Sequence, residues 1–109
     1  MSTQKHNPSS PSWYLYLVRR ADGALYTGIT TDVERRVDEH RNSKRGARAL
    51  RSRGPLQIAY HTAIDGRALA SRAEYRVKSL DRPAKEALVR KQPDSRALLA
   101  LLGLDDSSD

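Results

Sequence analysis

Residues 14–40 read YLYLVRRADGALYTGITTDVERRVDEH, and this stretch decides the local structure of the first half of the chain. Apolar and aromatic residues fill both sets of alternating positions over residues 13–18, which is typical of a strand covered on both faces. The Asp22-Gly23 pair predicts a turn, and residues 24–29 predict a second strand. The two strands therefore form a hairpin.

The register of this hairpin determines which tyrosines can act together. A three-residue loop over 21–23, with Gly23 in a left-handed conformation, pairs Val18 with Tyr26. Tyr16 and Tyr26 then share one face of the sheet as diagonal neighbours. A two-residue loop would place them on opposite faces, and a joint role would be excluded.

A helix follows the hairpin directly. Thr31 and Glu34 have the spacing of a capping box, so we expect Thr31 to be the N-cap of a helix that runs to about Asn42. Its inward stripe is unusual because it mixes apolar with polar residues: Val33, Arg36, Val37 and His40. The helix therefore carries polar groups on the side that should face the core.

The remaining elements are a third strand and three helices. Residues 56–62 predict a strand that alternates Leu56, Ile58 and Tyr60 on one face. Asp65 is the expected N-cap of a helix to about Leu80, with Glu74 on the flank of an apolar stripe formed by Leu69, Ala73, Val77 and Leu80.

Two short helices complete the chain. Pro83 suits the first turn of a helix to about Lys91, and Pro93 with Asp94 opens a last helix, 95–102, that Gly103 ends. The order of elements predicts the α+β class, with a small three-stranded antiparallel sheet flanked by helices.

Charge indicates the kind of partner. The 109 residues include 20 Lys and Arg against 13 Asp and Glu, a formal net charge of +7. Residues 41–54 contain six basic residues and no acidic one. Such a balance favours a polyanion, because cations that bind phosphates release condensed counterions. The alternatives from charge alone are a basic surface that serves solubility and an arginine bias in the genome.

Several classes of protein are excluded. The chain has no cysteine, so it has no disulfide framework, thiolate zinc site or cysteine nucleophile. No run of apolar residues is long enough to span a bilayer, and the start of the chain lacks the apolar stretch of a secretory signal. These features favour a reducing cytoplasm, and association with the nucleoid would suit a DNA substrate.

Two short motifs and three single residues then stand out by type and spacing. The motifs are Tyr14-Leu15-Tyr16 and Tyr26-Thr27-Gly28, and the single residues are Arg36, His40 and Glu74. This pattern resembles the GIY-YIG nuclease family, and most nearly its small single-domain, YhbQ-like bacterial subgroup. The chain departs from the family motifs where Tyr14 replaces the leading glycine and where Leu15 and Thr27 replace the middle isoleucines.

The resemblance implies a GIY-YIG nuclease-like domain over about residues 13–91. A disordered leader, 1–12, precedes it, and a C-terminal helix with an acidic tail, 92–109, follows it. The family resemblance also implies a DNA endonuclease that uses Mg²⁺ or Mn²⁺ and selects substrates by structure. Such an enzyme would serve DNA repair or recombination, and RNA is left open as a substrate. No separate DNA-recognition domain is expected.

The resemblance also implies a role for each site residue. Arg36 would clamp the phosphate, Glu74 would hold the metal, Tyr16 would orient the attacking water or hold Tyr26, and Gly28 would be structural. Tyr26 is the family's candidate base, although phenols ordinarily titrate near pH 10. His40 is the rival, because imidazole titrates closer to neutrality. Candidate nucleic-acid contacts are Lys44, Arg45, Arg48, Arg51, Lys78 and Lys85.

Each of these residues also has an ordinary structural interpretation. Glu74 and Lys78, for example, have the spacing of a common helix-surface ion pair. Two other functions therefore stay open beside the enzyme. One is a nucleic-acid-binding module with a vestigial site that binds through residues 41–53. The other is an interaction protein whose last helix docks a protein partner or an oligomer that supplies specificity.

Overall fold

The structure, a computed structural model, describes residues 12–42 and 56–104. Its strands are β1 (Trp13–Arg20), β2 (Leu25–Thr30) and β3 (Leu56–Ile64), and its helices are α1 (Val33–Asn42), α2 (Arg67–Lys78), α3 (Arg82–Lys91) and α4 (Ser95–Leu101). The sheet is antiparallel with the order β2-β1-β3. The predicted α+β class and three-stranded sheet are confirmed.

The hairpin has the predicted register. Val18 lies opposite Tyr26, and Tyr16 lies opposite Gly28. Gly23 has a φ of 92°, and the amide of Arg20 donates a 2.9 Å hydrogen bond to the carbonyl of Ala24 across the loop. Tyr16 and Tyr26 are therefore diagonal neighbours on one face, as a joint role requires.

Strand β3 departs from the predicted alternation. Leu17 pairs with Tyr60, but the next residue, Val18, pairs with Ile58, so Ala59 is an extra residue in a β-bulge. Leu56 and Ile58 consequently pack on one face of the sheet, whereas Tyr60 packs on the other. The prediction that all three share a face was wrong, because strict alternation cannot reveal an inserted residue.

The two faces of the sheet carry separate hydrophobic clusters. The larger lies under α2, α3 and α4 and includes Leu15, Leu17, Ala73 and Leu98. The smaller lies under α1, with Tyr16, Val18, Val33, Val37 and Leu56. Strand β1 supplies residues to both clusters, which explains its apolar residues at every position from Leu15 to Val18.

Two helix starts differ from the prediction by one residue. Asp32, not Thr31, caps α1, because its carboxylate accepts the amide of Arg35 at 3.1 Å. Helix α2 begins after Gly66, which has a φ of 96°, and no side chain caps it, so Asp65 does not have the expected role. Helices α3 and α4 begin as predicted, after the N-caps Asp81 and Asp94.

Helix α4 packs into the core of the same chain. Leu98 is fully buried and Leu102 nearly so. Its apolar face is thus covered within the chain, although Leu101 is exposed. In the described ranges, no helix is long and apolar enough to cross a membrane.

Candidate active site

The predicted site residues meet beside β2, which is an edge strand of the sheet. Tyr16 points from β1 over Gly28 of β2, and both residues are buried. A Cβ atom at position 28 would lie 2.5 Å from the Tyr16 hydroxyl oxygen and 2.6 Å from Cζ. Gly28 lies inside a regular strand, so glycine is needed there for space and not for its backbone freedom. The absent side chain lets the Tyr16 ring lie flat on the strand.

We expect Gly28→Ala to destabilise the protein by about 1–3 kcal/mol, the usual cost of overpacking a buried contact. The added methyl must displace a tyrosine ring that belongs to the cluster under α1. Urea denaturation of the variant measures this change in the free energy of unfolding. The double variant with Tyr16→Leu is the control, because removal of the ring removes the clash. A double variant as unstable as the sum of both single variants would contradict this explanation.

Arg36 reaches the site from α1, the helix that packs on the same face of the sheet as Tyr16. Its side chain is 44% exposed and forms an ion pair with Glu39 at 3.0 Å. The Glu39 carboxylate raises the pKa of Arg36, and the nearby Tyr16 hydroxyl contributes to the same change. The guanidinium is therefore charged, open to solvent and adjacent to the buried Tyr16 hydroxyl.

Glu74 approaches from α2, the helix on the opposite face of the sheet. Its side chain is 25% exposed, and its Oε2 forms an ion pair with Lys78 Nζ at 3.3 Å. The predicted surface pair is therefore present. Glu74 is also close enough to Tyr16 to affect its titration. The ion pair and a place in the site are thus compatible.

The environment of Tyr16 keeps its hydroxyl protonated. Burial raises the pKa of Tyr16, and Tyr26 and Glu74 raise it further, whereas Arg36 opposes the change. A protonated phenol donates a hydrogen bond and does not accept a proton from water. Tyr16 is therefore suited to donate a hydrogen bond to a neighbouring group and not to act as a base.

Tyr26 and His40 form the remaining pair. Their ring centroids are 5.7 Å apart, with the planes at 74° in an edge-to-face arrangement. His40 is 1% exposed and lies on the inward side of α1, whereas Tyr26 is only half-buried. Burial, with the charge of Arg36, lowers the pKa of His40, so this imidazole is neutral at pH 7. Of the two rival bases, Tyr26 is the one that solvent reaches.

The arrangement offers one carboxylate, one guanidinium and two tyrosine hydroxyls around a single strand edge. In the part of the chain that the structure describes, no three His, Asp or Glu side chains gather into a metal-binding group. The accessible oxygens of Glu74 fit a hard divalent cation that takes its other ligands from phosphate and water. The donor set therefore fits a cation held jointly with a substrate.

Comparison with known proteins identifies the domain. Residues 12–87 match the family model of the GIY-YIG catalytic domain. The chain belongs to the GIY-YIG family. The match spans the hairpin, α1, β3 and α2, and so includes every residue of the site described above.

Relatives within the GIY-YIG family extend over most of the chain. The UPF0213 protein YhbQ of Escherichia coli O8 is 53% identical over 90 residues, which cover 83% of this chain and 89% of that protein. A UPF0213 protein of Citrobacter koseri has the same identity and coverage. The solution NMR structure of the UPF0213 protein BH0048 from Bacillus halodurans is 42% identical, with a TM-score of 0.50 over 74% of this chain and 85% of that one. These names state no activity, whereas the GIY-YIG domain indicates a nuclease.

Not all of the predicted nucleic-acid contacts are part of the site described above. The candidate nucleic-acid residues Lys44, Arg45, Arg48 and Arg51 fall outside the described residues, as does most of the predicted leader. Lys78 and Lys85 are described, and Lys78 lies beside Glu74. The sequence did not single out Arg82, which lies with Lys85 in a cleft at the hairpin turn. No sequence signal links it to the hairpin, because 59 positions separate Arg82 from Gly23.

Proposed function

We propose that this protein is a metal-dependent endonuclease that hydrolyses DNA phosphodiester bonds and selects its substrates by structure. The observation that carries the proposal is the meeting of Tyr16, Tyr26, Arg36 and Glu74 at one strand edge, although they come from four different elements. Ordinary surface pairs and sheet aromatics have no reason to converge in this way. A role in DNA repair or recombination would suit such substrate selection.

Arg36 would bind the scissile phosphate. Attack by water on phosphorus places additional negative charge on the phosphate oxygens, and a planar, permanently charged guanidinium stabilises that charge. Exposure of Arg36 leaves donor atoms available to a substrate, while its ion pair with Glu39 restrains the side chain. Tyr16, which stays protonated and buried, would hold the groups around it in place.

Tyr26 would take the proton from the attacking water, and His40 would position Tyr26. The half-buried phenol meets solvent, and the buried imidazole packs edge-to-face against it. A phenol needs a neighbouring positive charge to act as a base near neutral pH. Arg36, on the neighbouring helix α1, would have to supply that charge when substrate is bound.

Glu74 would hold Mg²⁺ or Mn²⁺ through its carboxylate. The bound cation would stabilise negative charge on the leaving 3′ oxygen. A single carboxylate binds such a cation weakly, so the substrate phosphate would complete the site. Lys78, one helical turn from Glu74, is positioned to contact a neighbouring phosphate, and the basic segment 44–51 stays a prediction from the sequence.

The test is a cleavage screen over duplex, nicked, flapped, branched and single-stranded DNA, in Mg²⁺, Mn²⁺ and EDTA. We expect cleavage of at least one structured substrate in either metal and none in EDTA. Arg36→Gln should remove that activity, whereas Arg35→Gln should keep it. The two variants carry the same charge change on adjacent positions of α1, but only Arg36 is near Tyr16.

This matched pair also controls for contaminating nucleases, which would survive in both preparations. Loss of activity in Arg36→Gln alone supports the proposal. If wild-type protein cuts none of these substrates but binds DNA, the nucleic-acid-binding module becomes the better description. Equal activity of the two variants would show that the site lies elsewhere.

A further inference from the structure

A cleft lies between the turn of the β1–β2 hairpin and the first turn of α3. It has a volume of about 200 Å³ and is lined by Ala24, Leu25, Arg82 and Lys85. The Arg82 guanidinium is held over the turn, because its Nη2 donates a 3.1 Å hydrogen bond to the Gly23 carbonyl. The walls are thus backbone and small apolar surface, with two cationic side chains.

The cations at this cleft outnumber the acids that neutralise them. Glu86 is engaged mainly by Arg19, which binds both of its oxygens at 2.9 and 2.7 Å. Arg82 Nε reaches the same carboxylate only at 3.6 Å. Arg19 and Arg82 therefore share the Glu86 carboxylate, and Lys85 adds a further positive charge to the cleft. Arg20 adds no net charge, because Asp22 pairs with it.

Lys85 is the least compensated of these cations. It is half-buried, and no carboxylate in residues 12–42 or 56–104 forms an ion pair with it. Partial burial of an ammonium group costs free energy that a counter-charge normally offsets. An anion in the cleft would supply that counter-charge.

The cleft lies in line with the candidate active site. Leu25 precedes Gly28 by three residues in β2, which corresponds to about 10 Å along a strand. Along the chain, Lys78 is the last residue of α2 and lies between Glu74 of the candidate site and Arg82 of the cleft. Phosphates of one duplex strand rise about 3.4 Å each along the helix axis and also turn around it, so a span of about 10 Å covers at most about three nucleotides.

We propose that Lys85 and Arg82 form a phosphate subsite that holds the substrate backbone within about three nucleotides of the scissile bond. The inference rests on the proposed nuclease function and adds a substrate requirement to it. The nucleic acid must extend past the cut on the side that follows β2 toward the hairpin. A substrate that ends before this point would lose one phosphate contact.

The first test measures binding, without cleavage, in EDTA. The probe is a fluorescent duplex DNA oligonucleotide, and fluorescence anisotropy gives its affinity from 50 to 200 mM salt. We expect Lys85→Gln to lower the slope of log affinity against log salt by about 0.9, the value for one lost contact. The ratio of wild-type to variant affinity then shrinks about threefold over this range. Lys91→Gln, an exposed lysine at the other end of α3, should leave the slope unchanged.

The second test locates the phosphate contact relative to the position of the cut, which is mapped in Mg²⁺. Methylphosphonate linkages, which are neutral, replace single phosphates at successive positions of a substrate that wild-type protein cleaves. Wild-type protein should lose affinity at one position within about three nucleotides of the cut, and Lys85→Gln should be insensitive there.

The outcomes separate the subsite from the nuclease function. If wild-type protein binds and cleaves but Lys85→Gln behaves as Lys91→Gln does, the subsite is wrong and the nuclease proposal stands. Sensitivity of Lys85→Gln to the same linkage as wild type also overturns the subsite. If wild-type protein neither binds nor cleaves DNA, both proposals fall.

Discussion

Glu74→Gln should reduce metal-dependent cleavage by about 10²-fold or more. The proposed nuclease depends on the negative charge of this carboxylate, and glutamine keeps its size while removing that charge. Stabilisation by a bound cation is worth several kcal/mol in the transition state, and each 1.4 kcal/mol is a factor of ten in rate. The variant should bind DNA at least as well as wild type, because a negative charge near the phosphates has gone. Single-turnover cleavage at saturating protein, with affinity measured in EDTA, separates the two effects.

Lys78→Gln is the matched control for this prediction. It breaks the same 3.3 Å ion pair but leaves the carboxylate in place. An i,i+4 pair on a helix surface contributes about 0.2–0.5 kcal/mol, so both variants should fold as wild type does. At saturating protein Lys78→Gln should cleave at close to the wild-type rate. Equal loss in both variants would mean that the pair, and not the carboxylate, matters.

Tyr26→Phe should lower the cleavage rate by about 10²–10⁴-fold, the usual contribution of a general base, with DNA binding retained. The substitution removes one oxygen and keeps the ring that packs against His40. His40→Gln should cause a smaller loss, because His40 is 1% exposed and acts through Tyr26. Tyr75→Phe is the control, since this exposed tyrosine follows Glu74 on the same helix.

The ranking of these variants decides which residue is the base. A larger loss in His40→Gln than in Tyr26→Phe would transfer the role to His40. Because burial lowers the pKa of His40, a histidine base would stay deprotonated down to a pH below 6.5. The cleavage rate would therefore not change with pH until that point. The pH profile of Tyr26→Phe, measured with the same substrate, therefore gives an independent readout.

The hairpin and the meeting of its tyrosines could be predicted because both depend on local chemistry. Asp22 and Gly23 specify a turn, and the period of two along a strand then determines that Tyr16 and Tyr26 share a face. The structure has this register. Arg36 and Glu74 could be proposed only through the family resemblance, since their approach to Tyr16 depends on how two helices pack on opposite faces.

The errors arose at positions where the linear pattern offers two similar options. Thr31 and Asp32 are both good capping residues, and the choice follows from Thr30, whose hydroxyl accepts the amide of Asp32 at 3.2 Å. The bulge at Ala59 reverses the alternation of β3 without any glycine or proline to signal it. Pairing of β3 with β1 settles the position of the bulge, and the linear pattern does not contain that pairing.

The division of the core into two clusters has a consequence for heat inactivation. Arg36 depends on the smaller cluster under α1, whereas Glu74 depends on the larger cluster under α2. Local opening of α1 would remove the guanidinium from the strand edge while the rest of the sheet stays folded. Opening of α1 alone would therefore be sufficient to stop the proposed nuclease, and activity lost at a temperature below global unfolding would report that opening.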